Sequence, residues 1–90
     1  MRVDLRGRRW NLRVVDRLPE GSYGEIDAPN RPNKEIRIAR NATPLEQLDT
    51  VIHECLHATI PDLAEEAVTE SATDIAKVLH RLGCRLKLQS

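Results

Sequence analysis

Residues 43–68 read TPLEQLDTVIHECLHATIPDLAEEAV, and the fold turns on whether they form two helices. They carry two helix starts and one break. Thr43 suits an N-cap, Pro44 suits the first helical position, and Glu46 stands where its carboxylate closes a capping box. Leu45, Leu48, Ile52, Cys55 and Leu56 then recur at the three-and-four spacing of an amphipathic helix. Ile60 and Pro61 end it. Asp62 is the expected N-cap of a second helix, with Glu65 at its third position. Val68, Ala72, Ile75, Leu79 and Leu82 give that helix an apolar stripe, and Gly83 stops it.

Upstream of Thr43 the period falls to two. VDLRGRRWNLRVV (3–15) alternates through Val3, Leu5, Trp10, Leu12 and Val14, with Gly7 in a short turn, which predicts a β-hairpin. LPEGS (18–22) breaks the chain, YGEIDA (23–28) is a short strand, and APNRPN (28–33) is a loop. KEIRIAR (34–40) alternates about Ile36 and Ile38, and CRLKL (84–88) is a strand or a tail. The expected fold is α+β: an N-terminal antiparallel sheet of three to four strands packed on two antiparallel helices.

Ninety residues make one domain, 1–90, with a core at the small end of what folds alone. With no Phe, aliphatic residues must build that core around the single Trp10, and a bound metal would add stability. At 40% hydrophobic and 31% charged, the composition is globular rather than disordered. Net charge is zero, yet residues 1–40 hold ten Lys/Arg against six Asp/Glu, and residues 41–90 hold four against eight. The plain reading of the basic half is charge on solvated strand faces. Cys55 and Cys84 form no disulfide framework and no C-x-x-C zinc site. No apolar run suits a signal peptide or membrane span, so a cytoplasmic protein with reduced thiols is expected.

The first helix carries His53, Glu54 and His57 in the order H-E-x-x-H. Residues four apart lie one turn apart on one face, so both imidazoles can hold one ion. With Leu48 as the centre of the apolar side, both histidines fall on the opposite side, about 140° and 180° away. Glu54 stands beside them, where a carboxylate can accept a proton from a zinc-bound water. Catalytic zinc takes three protein ligands and an open position. The candidates for the third are Asp62, Glu65, Glu66, Glu70 and His80. Glu65 lies about 60° from Val68, while Glu66 and Glu70 face away at about 160°. Fifteen residues of helix, roughly 22 Å, separate His80 from Glu65, so the two exclude each other. Glu65 is the first choice and Glu66 the reserve, although Glu65 also suits the capping box begun by Asp62. Asp49, one turn before His53, is a weaker candidate for orienting a ligand, Tyr23 one for stabilising an oxyanion, and Cys55 belongs to the apolar side.

With HECLH at 53–57 and DLAEEAV at 62–68, the chain resembles the zincin metallopeptidases. The strand–helix–helix order is similar to the small ImmA/IrrE-like and phage-type zincin domains, in which a glutamate on the next helix completes the site. The likeness covers about residues 34–82. It implies Zn2+ held by His53, His57 and Glu65, with Glu54 as general base in the hydrolysis of a peptide or protein substrate. It also implies a substrate extended along a sheet edge, which YGEIDA or KEIRIAR would offer. The chain lacks the third histidine and Met-turn of metzincins and the N-E-x-x-x-D helix of thermolysin-like enzymes. Only seven residues separate His57 from Glu65, which demands a sharp return through Pro61.

Two other functions fit the residues. One is a zinc-stabilised regulatory or binding domain without turnover. The other is a nucleic-acid module using Arg2, Arg6, Arg8, Arg9 and Arg13 against phosphates. It ranks third, because only Trp10 and Tyr23 are available for stacking on bases.

Overall fold

A computed structural model describes residues 1–88 as four strands followed by two helices, an α+β arrangement. The strands are β1 (Arg2–Leu5), β2 (Arg8–Val15), β3 (Gly24–Ile26) and β4 (Glu35–Ala39); the helices are α1 (Pro44–Thr59) and α2 (Glu65–Arg81). No helix among the described residues is long and apolar enough to cross a membrane.

The hairpin forms as its sequence predicts. Arg6 and Gly7 have φ of 51° and 77°, the left-handed pair that suits a two-residue turn between twisted strands. The Arg6 guanidinium also donates to the Thr59 carbonyl at 2.7 Å, satisfying an acceptor that the end of α1 leaves open.

The sheet is mixed rather than wholly antiparallel, with strand order β1-β2-β4-β3. Successive strands do reverse direction, but β4 inserts between β2 and β3. It therefore runs parallel to β2, setting Leu12 beside Ile36 and Val14 beside Ile38. Alternating hydrophobicity specifies which face of a strand is buried and leaves its neighbour open. That insertion leaves β3, the YGEIDA segment, on the sheet's edge and puts KEIRIAR inside.

On the inner face Trp10, Ile36 and Ile38 are almost wholly buried with Ala58 of α1, and Val3, Leu5, Leu12, Ile26 and Val51 pack around them. The outer face carries charge. Arg37 binds Glu25 and Asp27 at 2.7 Å each and Glu35 at 3.0 Å. Arg13 lies 3.6 Å from Glu35 and Arg2 3.3 Å from Asp4. Arg2, Arg13 and Arg37 of the basic front half are thus matched by acids beside them.

Helix α1 packs on β1, β3 and β4, whereas α2 packs on α1 and touches no described strand. The expected sheet with two antiparallel helices is present, stacked as sheet, α1 and α2 in turn. The helices are antiparallel, since Glu65 meets His53 and His57 while Thr73, two turns on, meets Asp49. The buried stripe of α2 is Val68, Ala72 and Ala76, and the expected members Ile75 and Leu82 are 44% and 74% exposed. Small alanines let two helix backbones approach, so the contact follows them and not the larger side chains beside them. Gly83 stops α2 with φ of 90°. Residues 84–88 form no strand, although Leu88 packs against the core.

Candidate metal centre

The cluster is built by how the two helices start. At α1 the capping box closes: Glu46 N–H donates to Thr43 Oγ1 at 3.2 Å, and Thr43 N–H donates to Glu46 Oε1 at 2.9 Å. Hydrogen bonds from the Thr43 backbone and hydroxyl, and from Tyr23, hold the Glu46 carboxyl below its ordinary range. Tyr23 lines neither cleft described below. At α2 the expected cap is absent. The N-cap is Ala64, no side chain closes it, and Asp62 lies exposed outside the helix. Glu65 becomes the first helical residue, and no capping box claims its carboxylate. Counting from Ala72, the middle of the buried stripe, Glu65 stands only about 20° away, facing α1.

There it meets the histidines. Glu65 Oε1 is 3.1 Å from His53 Nε2, Glu65 Oε2 is 3.0 Å from His57 Nε2, and the two Nε2 atoms are 3.1 Å apart. The rings meet edge to face, 4.8 Å between centres. Ligand atoms on a tetrahedral zinc, about 2.0–2.1 Å from it, lie roughly 3.3 Å from one another. The two Nε2 atoms stand close to that separation, and each faces a different oxygen of the Glu65 carboxylate, so the donor atoms surround a space that suits one ion. A single cation answers all three lone pairs at once. Two imidazoles and one carboxylate are a donor set suited to zinc. The histidine side chains are about a quarter exposed and that of Glu65 67% exposed, which leaves room for a further ligand.

Glu54 lies beside this cluster at 6% exposure. It forms no hydrogen bond or ion pair among the described residues. Burial, then the charges of Glu65 and Glu25, push its pKa up to about 7. A carboxyl near neutrality both takes up and releases a proton, as a general base must. Cys55, next to it, has its thiol pushed up by burial and by Glu54, the state of an inert core cysteine.

Glu54 lies against Gly24 of β3, a residue with no role predicted from sequence. A Cβ on Gly24 would stand 2.9 Å from Glu54 Oε2 and 2.4 Å from Thr50 Cγ2. Only a glycine lets β3 approach α1 so closely. The available signal was a glycine inside a short strand, which marks close backbone approach.

A cleft lies on each side of the centre. The first, about 280 Å³, is lined by Gly24, Asp49, Thr50, His53, Glu54, Thr69 and Thr73. The second, about 310 Å³, is bordered by His57 with Ile26, Ala28, Pro29 and Pro61, and by Asp27, which is committed to Arg37. Strand β3 runs from one to the other. Asp49 accepts a hydrogen bond from Thr73 at 3.0 Å, linking the two helices instead of orienting His53. Asp62, Glu66, Glu70 and His80 stay outside the cluster.

Comparison with protein-family models, curated proteins and solved structures finds no match to this chain. What the fold and site define by themselves is an α+β protein whose two-histidine, one-carboxylate cluster stands beside a buried glutamate and a sheet edge.

Proposed function

We propose that the protein is a zinc-dependent peptidase of the zincin type, with His53, His57 and Glu65 holding the ion and Glu54 as general base. The observation that carries this reading is the convergence of the His53 and His57 Nε2 atoms, 3.1 Å apart, on the two carboxylate oxygens of Glu65 at 3.1 and 3.0 Å, next to a buried Glu54 that has no partner among the described residues. When bound, zinc supplies Lewis acidity that polarises a carbonyl and brings the pKa of a water ligand toward neutrality. Glu54 takes the proton released in attack at its carboxylate and returns it to the departing amine. Strand β3 is paired on one side only, so an extended peptide can add to its open edge between the two clefts. Cys55 and Cys84 are free thiols, which suits a reducing cytoplasm.

The test combines metal content with turnover. Protein purified without added metal is expected to carry one zinc per chain, and His53→Ala to carry none. Wild type is expected to cleave members of a mixed peptide library that Glu54→Gln, equally loaded with zinc, leaves intact. A folded wild type that neither retains nor binds zinc would sink the assignment.

A second reading draws on one feature: α2 touches only α1, and the cluster lies across their junction. An ion there would staple the helices without catalysis. Equal zinc binding by wild type and Glu54→Gln, with no cleavage by either, favours the staple.

A further inference from the structure

We propose that the peptide taken by this site places a basic side chain, lysine or arginine, in the cleft between Gly24, Asp49, Thr50, Thr69 and Thr73, with Asp49 as its counter-charge. This names a substrate class for the peptidase reading and rests on it.

Three observations converge on the cleft. The first is its wall chemistry. Thr50, Thr69 and Thr73 offer hydroxyls, and the only charged linings are Asp49 and Glu54. Asp49 Oδ2 accepts from Thr73, which fixes the carboxylate on the cleft wall, while Oδ1 has no protein partner among the described residues. The second is Glu54, more than nine-tenths buried, aimed into the same space and without a hydrogen bond there. A cationic group entering the cleft meets acceptors and no lysine or arginine, and the ion that His53 would hold lies at its border.

The third is charge at longer range. From Asn41 to Ala76 the chain has eight acidic residues and not one lysine or arginine. Zinc offsets only part of that charge. The layer that carries the metal ligands therefore attracts a cationic peptide and repels an acidic one.

The opposite cleft marks the contrast. Ile26, Ala28, Pro29 and Pro61 present apolar surface, and the carboxylate of Asp27 is already spent on Arg37. A peptide lying along β3 thus meets a polar, negative recess on the His53 side and an apolar one on the His57 side. The preference is one-sided: a basic residue on one flank of the cleaved bond and a small apolar residue on the other.

The experiment uses the full chain loaded with zinc and a set of peptides identical except for one position. That position, scanned across both flanks of the cleaved bond, carries lysine, norleucine or glutamate. We expect kcat/KM to favour lysine over norleucine by about tenfold or more at one position, and glutamate to be the poorest. Asp49→Asn should bring the lysine-to-norleucine ratio close to one, and Asp49→Glu should retain most of it. Zinc content and melting curves establish that both variants are folded. A fluorescent lysine peptide bound to zinc-loaded Glu54→Gln, followed by anisotropy, gives a readout that needs no turnover. Its affinity should exceed that of the norleucine peptide, and adding Asp49→Asn should remove the difference. Cleavage or binding without preference for the basic side chain overturns the subsite and leaves the peptidase reading standing. A preference that survives Asp49→Asn overturns the role of Asp49. Zinc-loaded protein that neither binds nor cleaves any peptide overturns both readings.

Discussion

Gly24 of β3 lies directly against Glu54 of α1: the space a side chain would need is filled by Glu54 Oε2 and Thr50 Cγ2. Nothing but glycine lets the edge strand and the helix that carries His53 and His57 sit at this separation. The Glu54 carboxylate therefore lies right against the edge strand.

Gly24→Ala is therefore expected to act on the site more than on the fold. Its φ needs no left-handed conformation, so the cost is steric, and overpacking of this kind typically destabilises by about 1–3 kcal/mol. Peptide cleavage should fall well beyond what that loss explains at a temperature where the variant is fully folded. Thermal melts read beside kcat separate the two effects, and unchanged cleavage would show that β3 does not position Glu54.

A pH dependence follows from the charged face of the sheet. Asp27 accepts from Arg37 and from the Glu35 backbone, and those contacts hold its carboxyl below the ordinary value of 3.8. A depressed pKa means that the contribution is present above pH 3.8 and lost as pH falls through the lower folded value. Asp27→Asn should cost about 1.5–3 kcal/mol at pH 7, the range for hydrogen bonds to charged groups. The deficit should shrink on acidification below that point. Urea titrations of both proteins at pH 7 and pH 3 check it; a deficit that does not change with pH would remove the ionic account.

The parts of the structure legible in sequence are those fixed by local chemistry. Alternation located the hairpin and β4, and Thr43, Pro44 and Glu46 located the start of α1 to the residue. The four-residue spacing of His53 and His57 set both rings on one face. Harder to see was whatever depends on a partner distant in sequence. The order of β3 and β4, the stacking of α2 on α1 alone, and the approach of Gly24 to Glu54 all belong to this class. Helical phase turns Glu65 rather than Glu66 toward the histidines, because phase survives a small error in where a helix begins. The cap assigned to Asp62 did not survive it. Acids before a helix are common, and only the backbone decides which one is close enough to cap.

That difference between the two helix starts is measurable. Thr43→Ala removes a real cap and should destabilise by about 1 kcal/mol. Asp62→Ala removes an exposed acid outside α2 and should fall within about 0.5 kcal/mol of wild type. Chemical denaturation of the two single variants makes the comparison. A loss at Asp62 as large as that at Thr43 would mean that α2 begins earlier than Glu65, and the capping account of Glu65 would return.

The proposed third ligand gives the sharpest contrast, because Glu65 and Glu66 are adjacent, acidic and exposed, yet only Glu65 reaches the histidines. Glu65→Gln should weaken zinc binding by more than the roughly 10–100-fold typical of losing an outer partner of a ligand. Glu66→Gln should leave zinc binding near wild type. The same contrast should appear in stability. A ligand that binds only the folded chain adds about 2.7 kcal/mol when present at a hundred times its Kd. Adding a chelator to the zinc-loaded wild type should therefore lower its melting temperature by several degrees, and Glu65→Gln should lose most of that response. Competition against a zinc indicator, followed by melts with and without chelator, measures both. Should Glu66→Gln instead abolish binding while Glu65→Gln spares it, α2 must turn by about 100° to present its next residue, and the cluster described here would not be the metal centre.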